Sequence, residues 1–279
     1  VGIEKDVDTM SMLNVPKLDL EKVVSEITEF IRRIVDNAKA EGIVVGLSGG
    51  VDSSVVATLC VRALGKEKVL GVLMPTEFTP SHDVEDAKEL AKKLEISTEF
   101  VNIRDIAEAF SKELRCNPND LKQKMPIANV HARIRMVILY YYANLNNYLV
   151  AGTGDRSEDL IGYFTKYGDG GVDFMPISHL YKTQVRELAG YLGIPEKIAY
   201  KPSSPQLFPG HKATDEIPVD YEKLDLVLVG IFDYKLEPKE VSRLTGIPIK
   251  SIEDIVRRFN ESKHKREYLP MVKGWDIGY

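Results

Sequence analysis

Residues 46–54 read GLSGGVDSS, with two adjacent glycines, three serines and one aspartate directly after the apolar run Ile43-Val44-Val45. Glycines let an anion approach the backbone, and hydroxyls add donors. A helix opening at this point presents unpaired N–H groups and the positive end of its dipole. Together these features make a cradle for phosphate. The spacing excludes two common cradles. A G-x-x-x-x-G-K-[ST] loop fails because Val51 stands five residues after Gly46 and no lysine follows the glycines. A G-x-G-x-x-G fingerprint fails because Gly46 and the Gly49–Gly50 pair are wrongly spaced.

Such a loop works only if the flanking elements hold it. Strand 43–47 precedes it, and 51–64 follows with apolar residues at helical spacing. Upstream, Asp19 can cap a helix running to about Ala40, on which Val23, Val24, Ile27, Phe30, Ile31, Ile34 and Val35 form one stripe. Downstream the pattern predicts strand 68–75, helix 82–94, strand 97–103, helix 104–114, a long helix 119–146 and strand 148–153. Strands alternating with helices argue for an α/β fold: an open, mainly parallel twisted sheet with helices on both faces. Residues 154–173 are glycine- and charge-rich without a clear period, and a loop of that length inside a compact domain is often functional. Helices are expected again at 178–192, 220–233, 237–245 and 249–262, so the C-terminal part is helical. The long helix contains RIRMVILYYYANL and is apolar on more than one face, which requires burial in the domain or against a second subunit.

At 279 residues the chain can bury a sizeable core, and its net charge of −5 argues against a general affinity for nucleic acid. No apolar run approaches the ~20 residues of a membrane span, and VGIEKDVDTM has no signal-peptide core. The expectation is a cytoplasmic protein of one domain over 1–279. Cys60, in an apolar helical run, reads as a core thiol, and with Cys116 it makes neither a disulfide framework nor a zinc site. His82, His131, His179 and His211 lack mutual ligand spacing.

Ser48-Gly49-Gly50-Val51-Asp52-Ser53 matches S-G-G-x-D-S and resembles the pyrophosphate loop of the N-type ATP pyrophosphatases. In that family ATP is split into AMP and pyrophosphate, and the AMP activates a carboxyl or carbonyl group. Within it, GTGDRSEDLIGYFTKYGDGGVDFMPISHLYKTQVRELA at 152–189 resembles the ammonia-dependent NAD+ synthetases, and ESKHKREYLP resembles their H-K-R segment. The resemblance covers about 20–270. It implies a Rossmann-like ATP pyrophosphatase fold and amidation of deamido-NAD+ by ammonia with ATP. It also implies a homodimer with the substrate site at the subunit interface, and no nucleic-acid or membrane partner. No glutaminase segment is visible, so free ammonia is the expected nitrogen source.

By that resemblance Gly46, Leu47, Ser48, Gly49, Gly50, Val51, Asp52 and Ser53 align with the ATP-phosphate loop. Asp52 and Glu158 align with the Mg2+ carboxylates, and Thr153, Lys182 and Ser204 with ATP contacts. Arg133, Lys166, Asp173, His264 and Lys265 align with contacts to deamido-NAD+. Asp52 and Lys182 are the expected catalytic pair. At Ser204 the chain reads PSSPQL against a family pattern closer to P-[ST]-A-D-L, so Pro205 and Gln206 replace the small residue and the acid.

The chemistry of the side chains agrees with most of this. A carboxylate in a phosphate loop repels its ligand unless a cation lies between, so Asp52 points to Mg2+. Thr153 ends a strand on the same carboxyl edge as Ser48, where open α/β sheets bind ligands. Lys182 near a helix start opposes the dipole and makes more sense facing phosphate. Lys166 and Asp173 flank YGDGG, a stretch read as a loop that orders on substrate. The competing readings are another adenylating amidotransferase and a nucleotide-binding regulatory protein without turnover.

Overall fold

A computed structural model describes residues 13–117, 120–202, 216–267 and 270. Four parallel strands, β1 (Gly42–Gly46), β2 (Val69–Leu73), β3 (Ser97–Phe100) and β4 (Tyr148–Ala151), form one sheet in the order β3-β2-β1-β4. In register, Val45 lies beside Gly71 on one side and Ala151 on the other. Ile43, Val44 and Val45 are all fully buried, which explains why β1 reads as a continuous apolar run: both faces of a parallel sheet are covered.

The side-chain alternation of a strand sorts the two faces. Ile43 and Val45 join a core with α1 (Leu20–Ala38), α2 (Val51–Leu64) and α3 (Ser81–Leu94). Val44, Val72 and Val150 face α4 (Arg104–Glu113) and α5 (Leu121–Asn146). Asp19 caps α1, its carboxylate accepting from Lys22 N at 3.1 Å, and the apolar stripe buries Ile27, Ile31 and Val35. A sequence apolar all round, as in α2, must be enclosed. That helix lies under the sheet against α1 and the later helix α7 (Lys182–Tyr191), burying Cys60.

A second apolar cluster gathers the C-terminal helices. It draws on α6 (Arg156–Ile161), on α9 (Tyr221–Leu228), which runs on as a π-turn (Val229–Asp233), on α10 (Pro238–Thr245) and on α11 (Ile249–Glu261). Two further short helices among the described residues are α8 (Glu196–Ala199) and α12 (Lys263–Arg266). Among the described residues no helix is long and apolar enough to cross a membrane.

Three expectations are refined. The loop 154–173 is partly regular: Asp155 accepts from Glu158 N at 2.8 Å and starts α6. The Asp-x-x-Glu spacing was a readable capping signal. The helix expected from 178 begins only at Lys182, because the Gln184 side chain accepts from Tyr181 N at 3.0 Å and closes the first turn there. The long helix α5 is not enclosed all round within one chain. Ala128, Ile134 and Ala143 pack inward, while Val137, Tyr141 and Leu145 are each more than 60% exposed.

Candidate active site

In this sheet β2 lies on one side of β1 and β4 on the other, so the strand order reverses at β1 and opens a crevice at the carboxyl edge. The loop after β1 sits there. Leu47 N still donates to Val72 O, so the sheet pairing runs one residue past the strand. Leu47 and Val51 turn their side chains into the core, leaving only their backbone for a ligand. Gly49 has φ +77°, and an added Cβ would stand 2.2 Å from Asp83 O. The loop is therefore pressed against the start of α3, and only glycine fits its tip. Ser48 and Ser53 hydroxyls lie 3.0 Å apart, and Gly50 N donates to Ser48 Oγ at 3.2 Å, folding the turn over its own donors.

A cavity of about 770 Å3 opens over this loop. Its walls include Ser48, Asp52, Thr153, Glu158, Arg135 and Lys265. Behind Asp52 and Glu158, outside the residues that line the cavity, Lys182 Nζ is wholly buried, 2.8 Å from Asp52 Oδ2, 2.9 Å from Asp155 Oδ2 and 3.0 Å from Glu158 Oε1. The Tyr221 ring lies 5.0 Å from the ammonium, and its hydroxyl donates to Glu158 Oε1 at 3.3 Å. Burial by itself lowers the Lys182 pKa. The carboxylates of Asp155, Asp52 and Glu158 outweigh it and hold its pKa well above the ordinary lysine value. Burial drives the Asp155 pKa well above the usual carboxylate range and raises that of Glu158, with Lys182 opposing both shifts. One ammonium among three carboxylates leaves two negative charges in excess when all are ionised.

Lys182 is the first residue of α7, where the dipole disfavours a cation, so these carboxylates are what stabilises it there. A buried polar chain fixes the helix start. Lys182 N donates to Ser157 Oγ at 2.9 Å, Ser157 Oγ donates to Asp225 Oδ1 at 2.5 Å, and Asp225 Oδ2 accepts from Thr183 N and Oγ1, both at 2.8 Å. Burial raises the Asp225 pKa against these bonds.

Asp52 Oδ1 is buried with no hydrogen-bond partner. An anionic oxygen orphaned in a phosphate loop fits a hard divalent cation. Among the described residues no set of three or more His, Cys, Asp or Glu is placed to hold a metal unaided. A cation held by Asp52 and Glu158 would draw its remaining ligands from phosphate and water, the ordinary manner of Mg2+.

The residues aligned with a dinucleotide divide. Lys265 lines the cavity, its Nζ donating to Gly162 O at 2.7 Å and Phe164 O at 2.6 Å. Arg133, Lys166 and His264 lie outside its walls but form one string: Arg133 Nη2 donates to Lys166 O at 3.2 Å, and Lys166 Nζ to His264 O at 2.8 Å. Asp173 is apart from them, accepting from Val150 N at 2.7 Å and Tyr140 Oη at 3.1 Å. Ser204 lies outside the described residues. Sequence reasoning missed Asp155, Tyr221 and Arg135. Arg135 lies two residues past Arg133 in Arg133-Ile134-Arg135, and its Nε donates to Met74 O at 3.2 Å just beyond β2. Burial pulls its pKa down to about 10.

The NAD synthase family pattern matches residues 23–269. The NH(3)-dependent NAD(+) synthetase of Staphylothermus marinus is 49% identical over 261 residues, covering 93% of each chain. That of Hyperthermus butylicus is 50% identical over 254 residues, covering 91% of each. Two solved structures superpose on 92% of this chain and all of theirs. They are an NMN synthetase from Francisella tularensis, with a TM-score of 0.80 at 32% identity, and an NH3-dependent NAD synthetase from Campylobacter jejuni with nitrate, with a TM-score of 0.77 at 33% identity.

Proposed function

The chain belongs to the NAD synthase family, and from that premise we infer how its site forms NAD+ with ammonia. It is a ligase that makes a carbon–nitrogen bond. The reaction proposed has two steps, with ATP and deamido-NAD+ as substrates. The nicotinate carboxylate attacks the α-phosphorus of ATP, the bond to the bridging oxygen breaks, and pyrophosphate leaves. Ammonia then attacks the adenylated carbonyl, AMP departs with the carboxyl oxygen, and a proton is lost to solvent. No nucleophilic side chain is needed, so the work is positioning and electrostatics.

The observation that carries this reading is Lys182, buried between Asp52 of the phosphate loop and Glu158 of the segment after β4. Asp52, Asp155 and Glu158 occupy its three donors here, so it would meet charge growing on the departing pyrophosphate once a bound cation draws Asp52 and Glu158 away from it. Asp52 and Glu158 would hold Mg2+, which would offset the negative charge of the polyphosphate. Asp155 would keep the ammonium in place, and the backbone of 48–53 would cradle the phosphates. Arg135 would bind an anionic oxygen on the β2 side of the cavity, and Lys265 with the Arg133–Lys166–His264 string would receive the dinucleotide. The exposed face of α5 supports a homodimer, in which a second subunit would complete the wall those residues leave open.

The likeness to an NMN synthetase supplies a second reading, in which the acceptor is a mononucleotide. The test measures NAD+ and pyrophosphate formed with ammonia and ATP, offering deamido-NAD+, nicotinate mononucleotide, xanthosine monophosphate or aspartate in turn. Turnover selective for deamido-NAD+ is expected. Preference for the mononucleotide would replace the acceptor, and no pyrophosphate with any of them would leave a nucleotide-binding protein without turnover.

A further inference from the structure

Lys201, two residues after α8, reaches back across 152 residues to the phosphate loop, its Nζ donating to Gly49 O at 3.0 Å. The same ammonium donates to Asp83 Oδ1 at 2.5 Å and to Asp86 Oδ2. Both carboxylates belong to α3 and are buried, at 4% and 7% exposure. Asp83 is also the residue whose carbonyl abuts Gly49, and both Asp83 and Lys201 line the cavity with the loop. His82 Nε2 stands 3.3 Å from Asp83 Oδ1. Asp86 is shared with a second cation, Lys197, whose Nζ is 2.8 Å away and also bonds Glu89 at 2.7 Å. Lys197 lines the neighbouring groove with Glu89 and Glu196, outside the phosphate cavity.

Two buried carboxylates beside a polyphosphate would repel it at short range. The loop tip that must receive the phosphates is pressed so close to Asp83 O that a Cβ at Gly49 would stand 2.2 Å from it. One ammonium answers both problems. We propose that Lys201 is a positioning residue for the nucleotide: it pins the tip of the phosphate loop through Gly49 O and cancels the charge that Asp83 turns toward the phosphate cavity. The lysine does not touch a reacting atom. Its three acceptors fill the three donors of an ammonium, so it acts through the loop. Lys197 serves Asp86 through its other carboxylate oxygen and, among the described residues, makes no hydrogen bond or ion pair to the loop, which makes it the internal control. The inference rests on the reading of 46–53 as the ATP-phosphate loop.

The experiment compares wild type with Lys201→Met, Lys201→Arg and Lys197→Met. ATP binding is followed by calorimetry without the second substrate, and Michaelis constants are measured for each substrate in turn. Lys201→Met is expected to weaken ATP binding about tenfold or more, the loss typical of a charge-assisted bond. The Michaelis constant for deamido-NAD+ should stay unchanged. Lys201→Arg should recover part of the ATP affinity, and Lys197→Met should bind ATP as wild type does. Melting curves report whether each variant folds; if Lys201→Met does not, Lys201→Gln carries the same comparison. Equal ATP binding by the folded neutral variant overturns the proposal, as does a loss shared by Lys197→Met or spread equally over both substrates. A wild-type protein that fails to bind ATP would instead overturn the reading of the loop.

Discussion

Lys182 is held by three carboxylates that also crowd one another, and that balance predicts how the single-site variants behave. Removing the ammonium leaves buried carboxylates unpaired, which typically costs roughly 3–5 kcal/mol. Lys182→Met should therefore lose stability of that order in urea unfolding as well as activity. Adding Asp155→Asn should return much of the stability but not the activity, because asparagine still caps α6. Asp52→Asn and Glu158→Gln remove charge from an over-anionic cluster, so both should stay folded while turnover at limiting Mg2+ falls severely. Near-normal rates in both would remove the metal assignment. Lys265 also lines the cavity, and losing a charge-assisted bond from it to the dinucleotide should cost about 1.5–3 kcal/mol. Lys265→Ala should then raise the Michaelis constant for deamido-NAD+ roughly ten- to a hundredfold and leave that for ATP nearly unchanged. An effect on ATP alone would detach the C-terminal segment from the dinucleotide.

At the scale of elements, α2 ties the phosphate loop to the core, and its Cys60 reports on that packing. The thiol is fully buried, and burial pushes its pKa from 9.0 up to about 12. Because the folded-state value is the higher one, the thiol's contribution to stability is complete below about pH 9. It is lost as pH rises through about 12. Wild type should lose more stability than Cys60→Ala between about pH 9 and 11, read as the change in urea midpoint of each. Native protein should also leave Cys60 unmodified by a thiol reagent at pH 8 until unfolded. The strand–loop–helix unit itself was legible because all its parts are neighbours in the chain. The start of α7 was not, since the hydrogen bonds that fix Lys182 at N1 come from Ser157 on α6 and Asp225 on α9.

For the whole molecule, the outward face of α5 sets the expectation. Val137, Tyr141 and Leu145 recur at i, i+4 and i+8, the spacing of one helical face. Sedimentation should give a dimer at micromolar concentration, and Val137→Glu with Tyr141→Glu should shift it toward monomer. If the dinucleotide spans two subunits, that variant loses affinity for deamido-NAD+ more than for ATP. A fully active monomer would end the shared-site reading.

The sequence by itself determined what depends on near neighbours. It specified the parallel α/β architecture, through the alternation of apolar runs and helical stripes. It specified the strand–turn–helix unit that carries the proposed phosphate loop, through small residues between a strand and a helix. Through its resemblance to a known family it also supplied the ammonia-dependent synthesis of NAD+. Only the tertiary structure decided which charges meet. Lys182 reaches Asp52 across 130 residues, Lys201 reaches Gly49 across 152, and Asp225 reaches Ser157 across 68. A parallel sheet brings the carboxyl ends of distant strands to one edge, so side chains with no local pattern converge there. Burial then sets their charge states, and neither convergence nor burial is a property of a short stretch of chain.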